Sequence, residues 1–467
     1  YDVNDSIYFI DELSHAFEFI DTLLEGKIEK LSRNNKLVSS FHLISKSEFD
    51  FLFFLDISLI DKEYFIEKLI GNKYSLHKRN FNGFQMFDAI SNNKTFSFFL
   101  YKNLFIGSHS AILIEDVVRV INSPKITFYH LQFKLFDFIK IKKDFGDIYV
   151  NSDKIKDLLE IFIDEKMFKV NELNEYIDGT FLDFSISNSK ISLNGFSLNY
   201  SQNKLSSAFT NNLSDAFSIN NLIPNNTPWV NHISLDTPKN IINISKKILS
   251  EKEKNYKTNS NLNEELSENI DKEFALLTLE RSLKNRENKL LIIKSKDTSV
   301  FNKLITKSNI NNKKLSAEKY GNKIIKETGI KNFPFHLFGH SVNKFNNSFY
   351  IFINNYIIIS NSVENIRDYI DKLDEEETWS KSLFFSEIID KLNKESNLSL
   401  VINVPKTLIF LQSKIHKNYK KNFINFLEKF DILSIQLTKI DEKIYTSIIF
   451  NKSRSENKDV YSNRNFK

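Results

Sequence analysis

The sequence predicts an α+β fold: two homologous repeats, each a mainly antiparallel sheet with helices packed on one face. Three observations predict it. One block of the chain recurs at a nearly constant offset, its apolar stretches come in pairs joined by short turns, and single helical stretches interrupt those pairs. Strands that pair through tight turns build antiparallel sheets, whereas a doubly wound parallel sheet needs a long crossover between strands.

The repeat is clearest in two segments. FSFFLYKNLFIGSHSAILIEDVVRVI starts at Phe96, and SFYIFINNYIIISNSVENIRDYIDKL starts at Ser348. Laid at an offset of 252, Asn103 meets Asn355, Ile106 meets Ile358, Ser108 meets Ser360, Ser110 meets Ser362 and Asp116 meets Asp368. Each reads as an apolar strand, a Lys-Asn or Asn-Asn turn, a second apolar strand and a helix. Ser110 and Ser362 stand at N-cap positions, ahead of apolar residues at helical spacing. Downstream, Asn151 in DIYVNSDK falls on Asn403 in LVINVPK, and Asp153 falls on Pro405, both residues that start helices. The alternating hairpin from Phe181 matches the one from Ile432. Upstream, FLFFLDIS at Phe51 resembles LLIIKSKD at Leu290, at an offset nearer 239.

The expected organisation follows. A first module spans 1–202, opening with a helix in SHAFEFIDTLLEGKIEKL, and a polar connector with one short helix spans 203–222. A second module spans 223–452, opening with a strand and a helix, and carries a charged, mobile, helix-prone insertion at 251–270 and another at 327–341. Residues 453–467 form a disordered tail.

Composition limits the chemistry. Of 467 residues, 41% are hydrophobic and 26% charged, enough apolar content for a sizeable core. There is no cysteine, so no disulfide, thiolate metal site or cysteine nucleophile. The net charge of +5 is too balanced to indicate nucleic acid as a partner. No apolar run is long enough to span a membrane. Ten glycines are spread so that neither GxGxxG nor GxxxxGK[ST] occurs, which removes the usual phosphate loops and any cofactor they hold. The chain starts at Tyr1 without a basic n-region or apolar h-region, as after removal of a signal peptide or a longer N-terminal segment, or after trimming of the sequence.

Candidate sites are few, and no catalytic or cofactor-binding residue is assigned. His336 and His340 would share one helix face and are weak metal candidates, but the Glu of a metalloprotease motif is replaced by Leu337. His109 between Ser108 and Ser110 suggests a nucleophile beside a base; helix capping explains the serines better. The acids from Asp374 to Glu377 read as a solvated turn, Lys140, Lys142 and Lys143 as a solvated basic patch. Phe96, Phe98, Phe99 and Tyr101 read as core, and Trp229 and Trp379 as packing residues.

Together, the segments IGSHS and IISNS before helices, the strands DIYVN and LVINV, and SKISLNGFSLNY followed by LIPNNTPWVNHISL resemble a family of exported proteins of Flavobacteria and other Bacteroidetes, known as a domain of unknown function. The resemblance implies repeated α+β modules and a lipoprotein, whose anchor would lie upstream of Tyr1 since the chain has no cysteine. It implies an exported, periplasmic or outer-membrane-associated location with envelope proteins as partners. The expected function is a non-catalytic scaffold or binding module. The alternative is a hydrolase with a dispersed site in the cleft between the modules.

Overall fold

The computed structural model describes residues 37–45, 48–58, 75–91, 94–123, 146–163, 172–187, 189–199, 204–211, 218–252, 260–280, 288–308, 315–339, 342, 345–417 and 420–452. The expected N-terminal helix, Lys140, Lys142, Lys143, His340 and the tail lie outside them. The fold is α+β, and every strand pairing among the described residues is antiparallel.

The chain divides into two compact units, one of residues 1–138, 157–164 and 415–426 and the other of the remainder. The first contains β1 (Leu37–Leu43), β2 (Phe49–Asp56), β3 (Ser75–Phe81), β4 (Phe84–Ser91), β5 (Lys94–Tyr101), β6 (Leu104–Ser108) and α1 (Ala111–Asn122). Its sheet runs β1-β2-β6-β5-β4-β3. Strand period two sorts β5 onto two faces. Phe99 packs with Ile106 against Ile114 and Val118 of α1, while Phe96 and Phe98 stack with Phe87 and Phe105 on the other side. All three phenylalanines of β5 are fully buried, as core residues. The turns between strands need left-handed residues, supplied by Asn82-Gly83 and Lys102.

The larger unit begins with β7 (Gly146–Asn151). After it come α2 (Ser152–Phe162), whose residues from Asp157 on are assigned to the smaller unit, α3 (Glu172–Tyr176), β8 (Gly179–Ile186) and β9 (Lys190–Leu198). Then follow β10 (Trp229–Ser234), α4 (Pro238–Lys252), α5 (Ser260–Asn269), β11 (Ile270–Thr278), β12 (Lys289–Ser295) and α6 (Thr298–Ser308). Next are β13 (Ala317–Tyr320), β14 (Lys323–Glu327), α7 (Phe333–Phe338), β15 (Phe349–Ile353), β16 (Tyr356–Ser360), α8 (Val363–Asp374) and α9 (Leu383–Ile389). The chain closes with β17 (Leu398–Asn403), α10 (Val404–Leu411), α11 (Lys420–Leu427), β18 (Phe430–Ile440) and β19 (Lys443–Lys452). Thirteen strands join in the order β13-β14-β15-β16-β12-β11-β10-β17-β18-β19-β9-β8-β7.

Four expectations are corrected. Helices cover both faces of the large sheet, not one. Phe274, Leu276, Leu291 and Ile293 pack with α4, α6 and α7, whereas Ala275, Leu277, Leu290 and Ile292 pack with α8 and α9. Strands buried on both faces lose alternation and read as continuous apolar runs, such as LLII in β12. The domain partition also differs from modules at 1–202 and 223–452, because β9 pairs with β19 and so places β7, β8 and β9 in the larger unit. The connector, expected to be polar with one short helix, buries Leu205, Phe209, Ile219 and Leu222 and forms two 3-10 turns, at Leu205–Ala208 and Asn220–Leu222. Within the charged insertion, α5 is an ordered helix with Leu266 buried; residues 253–259 lie outside the described set.

Ser362 and Ser110 part company. Ser362 accepts a hydrogen bond from the Asn365 N–H at 3.2 Å and caps α8. Ser110 occupies the N-cap of α1 without a side-chain cap bond. Instead the Ser110 N–H donates to Ser108 Oγ at 3.0 Å, and Ser108 Oγ donates to Asp50 Oδ2 at 2.9 Å. Ser110 is therefore not the side-chain cap that its position predicts, because the buried Asp50 beneath the turn engages Ser108 instead. Ser362→Ala should cost about 1 kcal/mol in the unfolding of the larger unit and Ser110→Ala less than about 0.5, read as shifts in urea midpoint. Equal losses would mean that both serines cap.

Candidate functional site

Among the described residues, a cluster of titratable groups gathers on one face of the large sheet. His232 of β10, Glu273 of β11, Lys294 of β12 and Tyr356 of β16 lie on the face that also carries Val230, Ala275, Ile292 and Ile358, because each shares strand parity with those core residues. Ser218 approaches from the connector. Glu273 is the hub. Its Oε2 accepts from His232 Nε2 at 3.0 Å, and its Oε1 accepts from Tyr356 OH at 3.0 Å and lies 3.1 Å from Lys294 Nζ. Ser218 Oγ stands 2.6 Å from both carboxylate oxygens.

His232 and Glu273 are almost wholly buried. Burial pushes the Glu273 carboxyl up, but the hydrogen bond and charge of His232, with Ser218 and Lys294, outweigh it and hold the group down at about 2. Burial and the neighbouring Glu273 push the Tyr356 hydroxyl well up, so it stays a donor. The site is thus a carboxylate kept ionised inside an apolar core by donors from four elements.

The geometry separates this cluster from a hydrolytic triad. In a triad the serine gives its proton to histidine and histidine leans on the acid. Here Ser218 and His232 both point at Glu273 as parallel donors, so the histidine is not placed as the serine's base. The linkage to stability has a definite sign. Glu273 has a folded value below its unfolded value near 4.5, so its contribution is complete above that value and is lost as pH falls through about 2. Between pH 5 and pH 2 the larger unit should lose roughly 3 kcal/mol through this group, and Glu273→Gln should flatten that part of the profile in urea unfolding. An unchanged slope would remove Glu273 from the acid response.

The smaller unit holds a second buried acid. Asp50 Oδ1 accepts the Phe51 N–H at 2.7 Å and Oδ2 accepts Ser108 Oγ; burial nonetheless raises its carboxyl. His109 Nδ1 lies 3.0 Å from the Thr95 carbonyl, and its ring meets Phe96 edge-on. Ser40 Oγ lies 2.8 Å from His42 Nε2, and Ser75 and His77 form the same contact at 3.4 Å. Residues two apart on a strand share a face, so these pairs follow from strand geometry alone.

His336 is half-buried on α7, a single short helix that Pro334 opens and Gly339 closes. Among the described residues no group of three or more His, Asp or Glu is placed to hold a metal ion. Glu376 and Glu377 pair with Lys381 and Lys372 at the end of α8. No protein family, curated protein or solved structure matches the chain. The site therefore stands on its own chemistry. Among the described residues no helix is long and apolar enough to cross a membrane.

Sequence reasoning missed the buried acids Asp50 and Glu273 and the caps made by asparagine. Asn403 Oδ1 accepts the Lys406 N–H at 3.2 Å, and Asn151 Oδ1 accepts the Asp153 N–H at 3.1 Å. The signal for Glu273 was available: it is a charged residue at an inward position of IDKEFALLT, in step with Ala275 and Leu277.

Proposed function

We propose that this chain is a non-catalytic scaffold or binding module, exported or envelope-associated, built from two homologous α+β units. The observation that carries the non-catalytic reading is the saturation of Glu273: this strongly perturbed carboxylate is enclosed and both of its oxygens are occupied by protein donors. A catalytic acid or base must reach a substrate, and this one has no direction left in which to do so.

The repeat is supported by topology. In the smaller unit β1-β2-β6-β5-β4-β3 leads into α1; in the larger, β11-β12-β16-β15-β14-β13 leads into α8 by the same path. Registers agree as well. Ser97↔Ser108 recurs as Phe349↔Ser360, and Phe53↔Gly107 recurs as Leu291↔Ile359, which sets β2 on β12 at an offset of 238, one less than the sequence match of Phe51 with Leu290. The connection from β4 to β5 takes two residues where that from β14 to β15 contains α7, so the additional residues lie between those strands. Duplication of an uncut sheet explains both agreements at once.

Export and envelope association rest on the resemblance to the Bacteroidetes family of unknown function and on the absence of cysteine. The test is recovery of the native protein from membrane and soluble fractions after crosslinking, with identification of the crosslinked partners. A reproducible envelope partner supports the reading. Labelling of the purified chain by a fluorophosphonate, or turnover in an esterase and glycosidase panel, overturns it.

A further inference from the structure

We propose that the junction between β6 and α1 in the smaller unit is a proton-responsive device built on Asp50 and His42, and that the equivalent junction between β16 and α8 does not respond. The inference goes beyond the scaffold reading; only its comparison of the two units rests on the duplication proposed above. Asp50 Oδ1 accepts the Phe51 N–H, Oδ2 accepts Ser108 Oγ, and Ser108 Oγ in turn accepts the Ser110 N–H that leads into α1. His42 stands directly across from Asp50 in the register of β1 with β2, with Ser40 Oγ 2.8 Å from its Nε2. Among the described residues, two further titratable groups bear on this pair: His109, which follows β6, and Asp116 of α1, itself paired with Arg119.

The larger unit builds the same junction from neutral side chains. At the offset of 238 that the registers of β2 and β12 set, Asp50 falls on Asn288, whose amide donates to the Glu280 carbonyl at 3.0 Å. Leu279, whose N–H donates to the Asn288 carbonyl, stands where His42 stands. His109 falls on Asn361 at the offset of 252. Ser360 Oγ, the counterpart of Ser108, donates to the Lys289 carbonyl at 2.7 Å. Asn365 Nδ2 donates to Asn361 Oδ1 at 2.8 Å and to Ser360 Oγ at 3.2 Å. Three neutral residues of one repeat are thus three ionisable residues of the other, all at one place. The neutral set holds the turn, and a buried carboxylate is costly to keep charged, so the ionisable set supplies a response to pH that the turn itself does not need.

Burial lowers the His42 imidazole and raises the Asp50 carboxyl, and opening the junction to water returns them to their ordinary values of 6.5 and 3.8. As pH falls, the open junction takes up the His42 proton first, so His42 favours opening. The closed junction takes up the Asp50 proton first, so Asp50 favours closing. The two arms oppose one another in the parent chain, and single variants separate them. Hydrogen exchange of the full chain, corrected for the intrinsic rate at each pH, is the measurement. Between about pH 7 and about pH 5, acidification should raise protection across residues 104–117 at least about twofold in His42→Leu and lower it at least about twofold in Asp50→Asn. Residues 356–369 should hold constant protection over that range in all three chains. Either variant keeping the parent's profile across 104–117 overturns the proposal, and so does the same profile in 356–369. Should a variant fail to fold, the carbon-13 shift of the Asp50 carboxyl in the parent chain decides: a raised midpoint supports the device, and an ordinary carboxylate midpoint overturns it.

Discussion

Glu273→Ala is expected to destabilise the larger unit by about 3–5 kcal/mol, the range found when one member of a buried ionic cluster is removed. His232, Tyr356, Ser218 and Lys294 would each lose the acceptor they now share. The first of these is fully buried on β10 and cannot turn to water. At roughly 1.5–2 °C per kcal/mol for a unit of this size, the melting transition should fall by roughly 5–10 °C. Glu273→Gln keeps the volume and one acceptor oxygen, so it should cost less than Ala at neutral pH. A double-mutant cycle with Lys294→Met separates the charge from the hydrogen bonds, because Lys294 is the cluster's lysine and, at 27% exposure, its charge is partly screened. If Glu273→Ala melted within a degree or two of the parent chain, the cluster would have no structural role and its enclosure would need a functional explanation.

That cluster also shows why some of the architecture was legible and some was not. The hairpins from Phe96 and Ser348 and the helices after them could be read directly, because alternation, turn residues and helical spacing are local signals. Local signals say nothing about which strands meet. His232 and Glu273 lie 41 residues apart with two helices between them, and only the pairing of β10 with β11 brings them together. The connector was misread for a related reason. Its buried residues Leu205, Phe209, Ile219 and Leu222 are spaced without period among polar ones, and they pack by filling gaps in two cores that sheet and helices leave open. Helices on both faces of the large sheet were foreshadowed by the unbroken runs LLII and YIII, which a one-sided sheet would not tolerate. The caps divide along the same line: Ser362 acts within its own turn, while Ser108 answers to Asp50, 58 residues away.

Trp379→Ala should be the other large loss, about 3–5 kcal/mol, the range for emptying a buried aromatic site. Trp379 is 1% exposed and lies in the short turn after α8, where its ring stacks on Phe385 at a centroid distance of 4.5 Å. Its backbone N–H donates to the Ile223 carbonyl at 2.9 Å, and Tyr369 OH donates to the Leu222 carbonyl at 2.9 Å. These contacts fasten the end of the connector to the face of the sheet that holds Glu273, with Ile219 and Ile223 in the same core. Removing the indole empties the space under that fastening, so the effect should spread to Ser218, the connector's donor to Glu273. Trp379→Phe fills most of the volume and should recover more than half of the loss. Tyr369→Phe, which deletes one hydroxyl whose partner is a buried carbonyl, should cost about 1–3 kcal/mol. The measurement that checks the chain of contacts is hydrogen exchange at residues 218–223. Trp379→Ala should speed exchange there as much as around α9, whereas acceleration confined to α9 would show that the connector is held by the sheet alone.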